Sequence, residues 1–340
     1  MLNCLFITSQ GAYLSKEREA VLIHLDGEEK KKLPLSTFSG IVCFGRVNLS
    51  PPLMHHCTEK GISVTFLSIY GRFLARVQGP VSGNVLLRKE QYRRSDNEKH
   101  SLDLAKSFVL GKIKSSRAVI RRNRSDHHNK TNNEKLKNTQ EQLKRSLGKA
   151  AKAKTLDSLR GTEGEVAKAY FEVFNHFITQ QKEDFQFIKR SRRPPLDKVN
   201  ALLSFLYTLL MHDVRSALEV VGLDPAVGYL HRDRPGRMGL ALDMMEEFRA
   251  FLVDRLVLSL INRKQVYPDG FIIRKNGAVS MNDETRKVVI NAYQERKQDQ
   301  LKHPFLEEKI PIGMFPMAQA MLLSRHLRGD LDAYPPYFWS

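Results

Sequence analysis

The chain has 340 residues, 41% hydrophobic and 27% charged, a length that can hold two cores and a balance that excludes a largely disordered protein. Its 55 Lys and Arg against 37 Asp and Glu leave a net charge of +18, beyond the magnitude of roughly 2–8 that keeps a small domain soluble, and this favours polyanionic partners. Cys4, Cys43 and Cys57 form no CxxC pair, which argues against a disulfide framework or thiolate zinc site and fits a reducing cytoplasm.

The opening "MLNCLFITSQ" lacks a basic leader before a long apolar core and predicts no secretory signal. From there to about residue 80, "LNCLFIT", "AVLIHLD", "GIVCFG", "ISVTFL" and "RFLARVQ" read as short strands, rich in Val, Ile, Leu and Phe and separated by turn residues. Between them "SPPLMHHCTEKG" predicts one helix, with Ser50 as N-cap, proline at the first positions and Gly61 beyond the end. Residues 1–82 are thus expected to form a small β-rich domain.

After Gly79-Pro80 the pattern changes. Residues 86–160 carry 21 Lys and Arg against 8 Asp and Glu, the main basic segment. Helical spacing of Leu102, Ala105, Val109 and Ile113 predicts that the segment is folded. Arg121 to Lys135, "RRNRSDHHNKTNNEK", is polar enough to predict an exposed turn or mobile loop; Arg121, Arg122 and Arg124 are candidate DNA contacts there. Lys189 to Pro195, "KRSRRPP", reads as a second basic loop. From Leu196 onward the pattern is helical, with Val266 to Val279 as one hairpin insertion. "VNALLSFLYTLLM" is shorter than the ~20 residues of a membrane-spanning helix. The expected class is α+β: a β-rich domain followed by a larger all-α domain, residues 83–340.

Two stretches carry candidate chemistry. In "RGTEGEVAKAYFEVFNHFI" (Arg160–Ile178), a wheel turning 100° per residue puts Ala167, Tyr170, Phe174 and Phe177 within about 40° of Glu163. Glu165 falls on the water face and fits a capping box with Thr162. Glu163 points toward the core, where a carboxylate needs a cation, a proton or a partner. In "GYLHRDRPGRMGLALDMMEEF" (Gly228–Phe248), Asp243, Glu246 and Glu247 share the side opposite the apolar residues. Periodicity alone reads them as a solvent-facing acidic stripe. The competing reading has Arg232, Arg234 and Arg237 holding a phosphodiester while His231 and the carboxylates hold its metal.

At these residues the sequence resembles a known family: the first-numbered CRISPR-associated protein, the integrase and endonuclease that inserts spacers, here of a type I system. The resemblance rests on "LRGTEGEVAKAYF", "DKVNALLSFLY", "GLDPAVGYLHRDRPGRMGLALDMMEEFR" and "LRGDLDAYPPYFW", occurring in this order, with "LSTFSGIVCFG" and "GISVTFLSIYGRFLARV" before them. It implies that Glu163, His231 and Glu246 bind the metal and are catalytic, with Asp243 a supporting acid; Glu246 stands where many relatives have Asp. It implies Mg²⁺ or Mn²⁺, which suits one imidazole and two carboxylates. It also implies transesterification by a 3′-hydroxyl, cutting of branched DNA, and a homodimer formed through the N-terminal domain. A further implied partner is a small ferredoxin-like protein, the second-numbered Cas protein. Two other readings stay open: a non-catalytic basic DNA-binding scaffold, and a metal nuclease of DNA-repair intermediates.

Overall fold

The structure is a computed structural model, and it describes residues 3–79, 85–125, 130–231 and 233–339. The strands of its first part form two sheets, both from residues 4–77. They are β1 (Cys4–Ile7), β2 (Tyr13–Glu17), β3 (Ala20–Leu25), β4 (Glu28–Pro34), β5 (Gly40–Phe44) and β6 (Asn48–Leu49). Helix α1 (Pro51–Glu59) follows, then β7 (Ser63–Leu67) and β8 (Phe73–Val77). One sheet runs β1-β5-β7-β8 and the other β4-β3-β2-β6. As the sequence predicts, Ser50 caps α1 by accepting the Leu53 N–H, and Gly61 follows at φ +67°.

Three strands go beyond the five predicted: the two-residue β6, and the longer β2 and β4. β2 buries only Leu14, and β4 is exposed along nearly its whole length. Neither shows the apolar alternation that marks a strand. β4 exists because Asp26 and Gly27, at φ 54° and 80°, turn the chain back on β3 as a hairpin.

Strand β5 joins the two halves of the molecule, because side chains alternate across a strand. Ile41 and Cys43 enter the core between the sheets, whereas Val42 and Phe44 enter the core of the helical part. Phe44 stacks on Phe205 with ring centroids 5.8 Å apart.

The rest is mostly helical: α2 (Val85–Asp96), α3 (Glu98–Ser125), α4 (Lys130–Ala151), α5 (Leu156–Glu172), α6 (Lys198–Val220), α7 (Gly239–Phe248), α8 (Arg255–Asn262), α9 (Asp283–Gln298) and α10 (Phe315–Leu327). A π-helical turn, Arg249–Asp254, links α7 to α8. The expected hairpin is present as Phe271–Ile273 paired with Val279–Met281. A second hairpin, Gln300–Lys302 with Lys309–Pro311, corrects the expectation of an otherwise all-α region. The expected loop at Arg121 is also corrected: α3 continues to Ser125 and α4 begins at Lys130, with residues 126–129 outside the described ones. Helix persists because Leu102, Ala105, Val109, Ile113, Val119 and Ile120 are all buried. No helix of the described residues is long and apolar enough to cross a membrane.

Candidate active site

Three helices meet around the predicted carboxylates. Helix α5 begins earlier than the capping-box reading requires: Thr155 is its N-cap, accepting from the Ser158 N–H at 3.2 Å. Thr162 lies inside the helix and donates to the Ser158 carbonyl, while exposed Glu165 pairs with Lys149 at 3.3 Å. The misplacement comes from Gly161 and Gly164, which weaken a helix but face open space here. Glu163 remains on the inward side, half-buried, as its spacing predicts.

Helix α7 contradicts the solvent-stripe reading, since Asp243, Glu246 and Glu247 are all buried. Its polar side is covered by α3. Gly111 permits that approach: a Cβ there would lie 2.9 Å from Glu247 Cγ and 3.3 Å from the Tyr337 carbonyl. The neighbouring residue, Lys112, is consequently driven between the helices. Its ammonium contacts Glu163 Oε1 and lies 2.9 Å from Glu246 Oε2. Arg249, one turn along, pairs with Glu246 Oε1 at 2.8 Å. Two carboxylates thus face two cations.

Burial alone would raise the Glu246 carboxyl. Arg249, Lys112 and His231 outweigh it and hold the group down at about 2, so Glu246 is a carboxylate. Despite its proximity to Lys112, Glu246 Oε2 has no well-directed hydrogen bond. An oxygen that is buried, ionised and faced only by a lysine ammonium suits coordination to a hard cation.

His231 enters from the loop before α7, and Asp243 fixes it. Tyr229 and Leu230 donate backbone hydrogens to Asp243 Oδ2 at 2.6 and 2.9 Å, and His231 donates its own to Oδ1 at 3.0 Å. The ring Nδ1 lies 2.5 Å from the same Oδ1. A carboxylate only accepts, so Nδ1 carries the hydrogen and the Nε2 lone pair stays available. The loop can sit this close because both facing positions are glycine: a Cβ on Gly228 would lie 2.6 Å from the Gly239 carbonyl carbon.

Glu247 serves a different purpose. It accepts from Gln319 at 2.9 Å, Tyr334 at 2.8 Å and the Tyr337 N–H at 2.6 Å, tying α7 to α10 and the "AYPPYFW" segment. Burial pushes its carboxyl up to about 8, against the pull of these donors.

A cavity of about 250 Å³ adjoins Glu246 and Lys112. The "KRSRRPP" loop contributes Arg190, Arg192 and Arg193 to its wall, beside Arg249 and Asp254. Asp254 accepts from Tyr207 at 2.5 Å; burial pushes it up to about 6, with Tyr207 and the guanidiniums opposing. Arg234 is exposed and Arg237 half-buried on the loop into α7, and Arg232 lies outside the described residues. Arg121 is exposed on α3. Arg122 stacks on Trp339 at 4.3 Å, and Arg124 is held by Asn133 and Gln140.

Among the described residues, no three His, Cys, Asp or Glu side chains are gathered into a metal-binding group as they stand. The structure brings Glu163 and Glu246 to one ammonium, and places His231 near enough to act on Glu246 electrostatically when its ring is protonated. Lys112 is the residue that sequence reasoning missed. It lies four residues after buried Phe108 and three after Val109, the same inward spacing that singles out Glu163.

The chain thus carries a cluster of carboxylates, histidine and basic side chains at a helical junction, behind a β-rich N-terminal region. The comparisons specify the class of protein. A model of the family described as CRISPR associated protein Cas1 matches residues 5–295, and the chain belongs to that family. It is a CRISPR-associated endonuclease of the Cas1 type: it is 55% identical, over 99% of its length and 98% of the relative's, to "CRISPR-associated endonuclease Cas1 1" of Chlorobaculum tepidum. Among solved structures, a casposase bound to integration product superposes at TM-score 0.84 with 21% identity, covering 99% of this chain and 94% of that one. A chain of a Cas6-RT-Cas1–Cas2 complex gives TM-score 0.82 at 24% identity, covering 99% of this chain and 36% of that one. At these identities the structural likenesses show the fold.

Proposed function

We propose that this protein is a metal-dependent DNA integrase and endonuclease. It joins spacer DNA to a repeat array through attack by a 3′-hydroxyl, and cuts branched DNA at the same site. The observation that carries this reading is the pair Glu163 and Glu246, brought from separate helices to share one cationic partner. With His231 these residues would hold Mg²⁺ or Mn²⁺. Such a cation, when bound, supplies polarisation of the phosphoryl oxygen and neutralisation of developing charge.

The protein's own side chains set up the rest. Arg249 holds Glu246 ionised and fixed through Oε1, leaving Oε2 directed at the site. Asp243 keeps His231 in the tautomer with a bare Nε2; its oxygens are occupied by the loop, so it positions the imidazole. Arg190, Arg192, Arg193 and Arg249 present positive charge beside Glu246, where a phosphodiester gains most from preorganised cations. The basic segment 86–160, and Arg121 in particular, supplies sequence-independent phosphate contacts.

Residues 1–82 would form a dimerising domain and residues 83–340 the catalytic one. A small ferredoxin-like Cas2 partner is supported by the likeness to a chain of a Cas1–Cas2 complex. The test is strand transfer of prespacer DNA into repeat DNA, with and without that partner and Mn²⁺, for the wild type and Glu163→Gln. Metal-dependent joining by the wild type, lost in the variant while DNA affinity is kept, supports the reading. Joining that persists in the variant rejects it, and cleavage of branched DNA without any joining favours a repair nuclease.

A further inference from the structure

Lys112 is held in an unusual place for a residue of the most basic segment of the chain. Its side chain is only 12% exposed, it comes from α3, and it touches carboxylates of both α5 and α7. Both are the carboxylates proposed above to hold a divalent cation, and the inference rests on that reading. Glu163 and Glu246 balance Lys112 and Arg249, so the group is electrically neutral as it stands. Arg249 engages Glu246 Oε1, whereas Lys112 engages the oxygens that lie between the helices. A divalent ion placed among those oxygens would put two further charges against the ammonium at contact range, where repulsion in a partly dry site is large. Both cations cannot occupy the gap. Lys112 also forms part of the wall of the adjoining cavity, next to Arg190 and Arg249, so its four-carbon stem has space to withdraw into.

We propose that Lys112 is a placeholder cation and positioning residue. In the metal-free protein its ammonium bridges the two carboxylates and holds them close together across the α5–α7 gap. On loading it leaves them and moves to the cavity side, where a DNA phosphate is the group that can receive it. Metal affinity is therefore set partly by an intramolecular competitor, and the carboxylates are kept from splaying apart when no metal is present.

The test measures Mn²⁺ binding by loss of the free-ion EPR signal, on full-length protein without DNA, with folding checked by circular dichroism. The probes are the wild type, Lys112→Met, Lys112→Arg, and each combined with Glu163→Gln. Lys112→Met removes the competing charge at similar volume, and its Mn²⁺ dissociation constant is expected to fall by about tenfold. Arginine is permanently charged and forked, so Lys112→Arg is expected to bind Mn²⁺ no more tightly than the wild type. Every Mn²⁺ bound at this site is expected to be lost with Glu163→Gln. If Lys112→Met binds no tighter than the wild type while both bind through Glu163, the placeholder role is overturned and the metal site stands. If no variant shows Glu163-dependent binding, the metal site falls and the placeholder with it. Should Lys112→Met not fold, the Arg variant decides: Mn²⁺ binding tighter than wild type overturns the proposal, and equal or weaker binding supports it.

Discussion

Asp243 receives the Nδ1 hydrogen of His231 at 2.5 Å, and the same carboxylate collects three successive backbone hydrogens of the loop that carries that histidine. One buried side chain therefore sets both the ring's tautomer and the path of the chain that delivers it. Asp243→Asn replaces an acceptor oxygen with a donor facing N–H groups, so the loop must shift. We expect a loss of metal-supported cleavage of about 10–100-fold, the usual effect of removing a carboxylate behind a ligating imidazole. Cleavage rates measured beside a thermal melt check this; an unchanged rate would mean the His231 ring needs no such support.

Gly111→Ala tests the packing that creates the site. The added Cβ would stand 2.9 Å from Glu247 Cγ and 3.3 Å from the Tyr337 carbonyl, against a fully buried carboxyl. Overpacking of this kind costs roughly 1–3 kcal/mol. A lower melting temperature together with weaker cleavage is expected, because α3 carries Lys112 and cannot retreat without moving it.

How the sequence leads to this site, and where it fails to, follows from what helical periodicity can report. Glu163 was legible because it stands alone among aromatic residues on one face. Periodicity alone left the acidic side of α7 open between two readings, because a wheel separates polar from apolar faces but not solvent from a second, polar layer. Here α3 is that layer, and Ser115 even donates to the Glu247 carbonyl. Lys112 was hidden by composition: among so many exposed lysines an inward one draws no notice. The β4 strand, "EEKKKLP", lacked alternation because neither face is buried, although the Asp26-Gly27 turn before it was readable.

A pH dependence of stability is expected from His212. Burial first, then Arg215 and Arg76, hold its imidazole down at about 4, against the opposing charge of Asp213. Its Nε2 has no hydrogen-bond partner and its ring packs 5.6 Å from Phe73. The folded form thus disfavours protonation relative to an unfolded chain, where histidine titrates near 6.5. The contribution is fully present above pH 6.5 and is lost as pH falls toward 4, amounting to about 3 kcal/mol. Thermal melts across that range should show a smaller fall for His212→Phe than for the wild type; parallel curves would remove His212 from the acid sensitivity.

Arg121 and Arg124, both at the α3 end, are expected to separate. Arg121 is exposed, and Arg121→Ala should reduce the salt dependence of duplex binding by about 0.9 in log–log slope, one phosphate's worth. Arg124 is held by Asn133 and Gln140 at 2.8 and 2.9 Å, so Arg124→Ala should lower the melting temperature by loosening α3 from α4. Binding titrations over several salt concentrations check the first, and an unchanged slope would place DNA elsewhere.

The central claim is that Glu163, Glu246 and His231 meet on one divalent cation. Crystals soaked in Mn²⁺ and measured at the manganese edge test it directly. The account predicts one anomalous peak in contact with a carboxylate oxygen of Glu163, Oε2 of Glu246 and Nε2 of His231, and no such peak in Glu163→Gln. A peak bound elsewhere, or no peak among these three side chains, would contradict it.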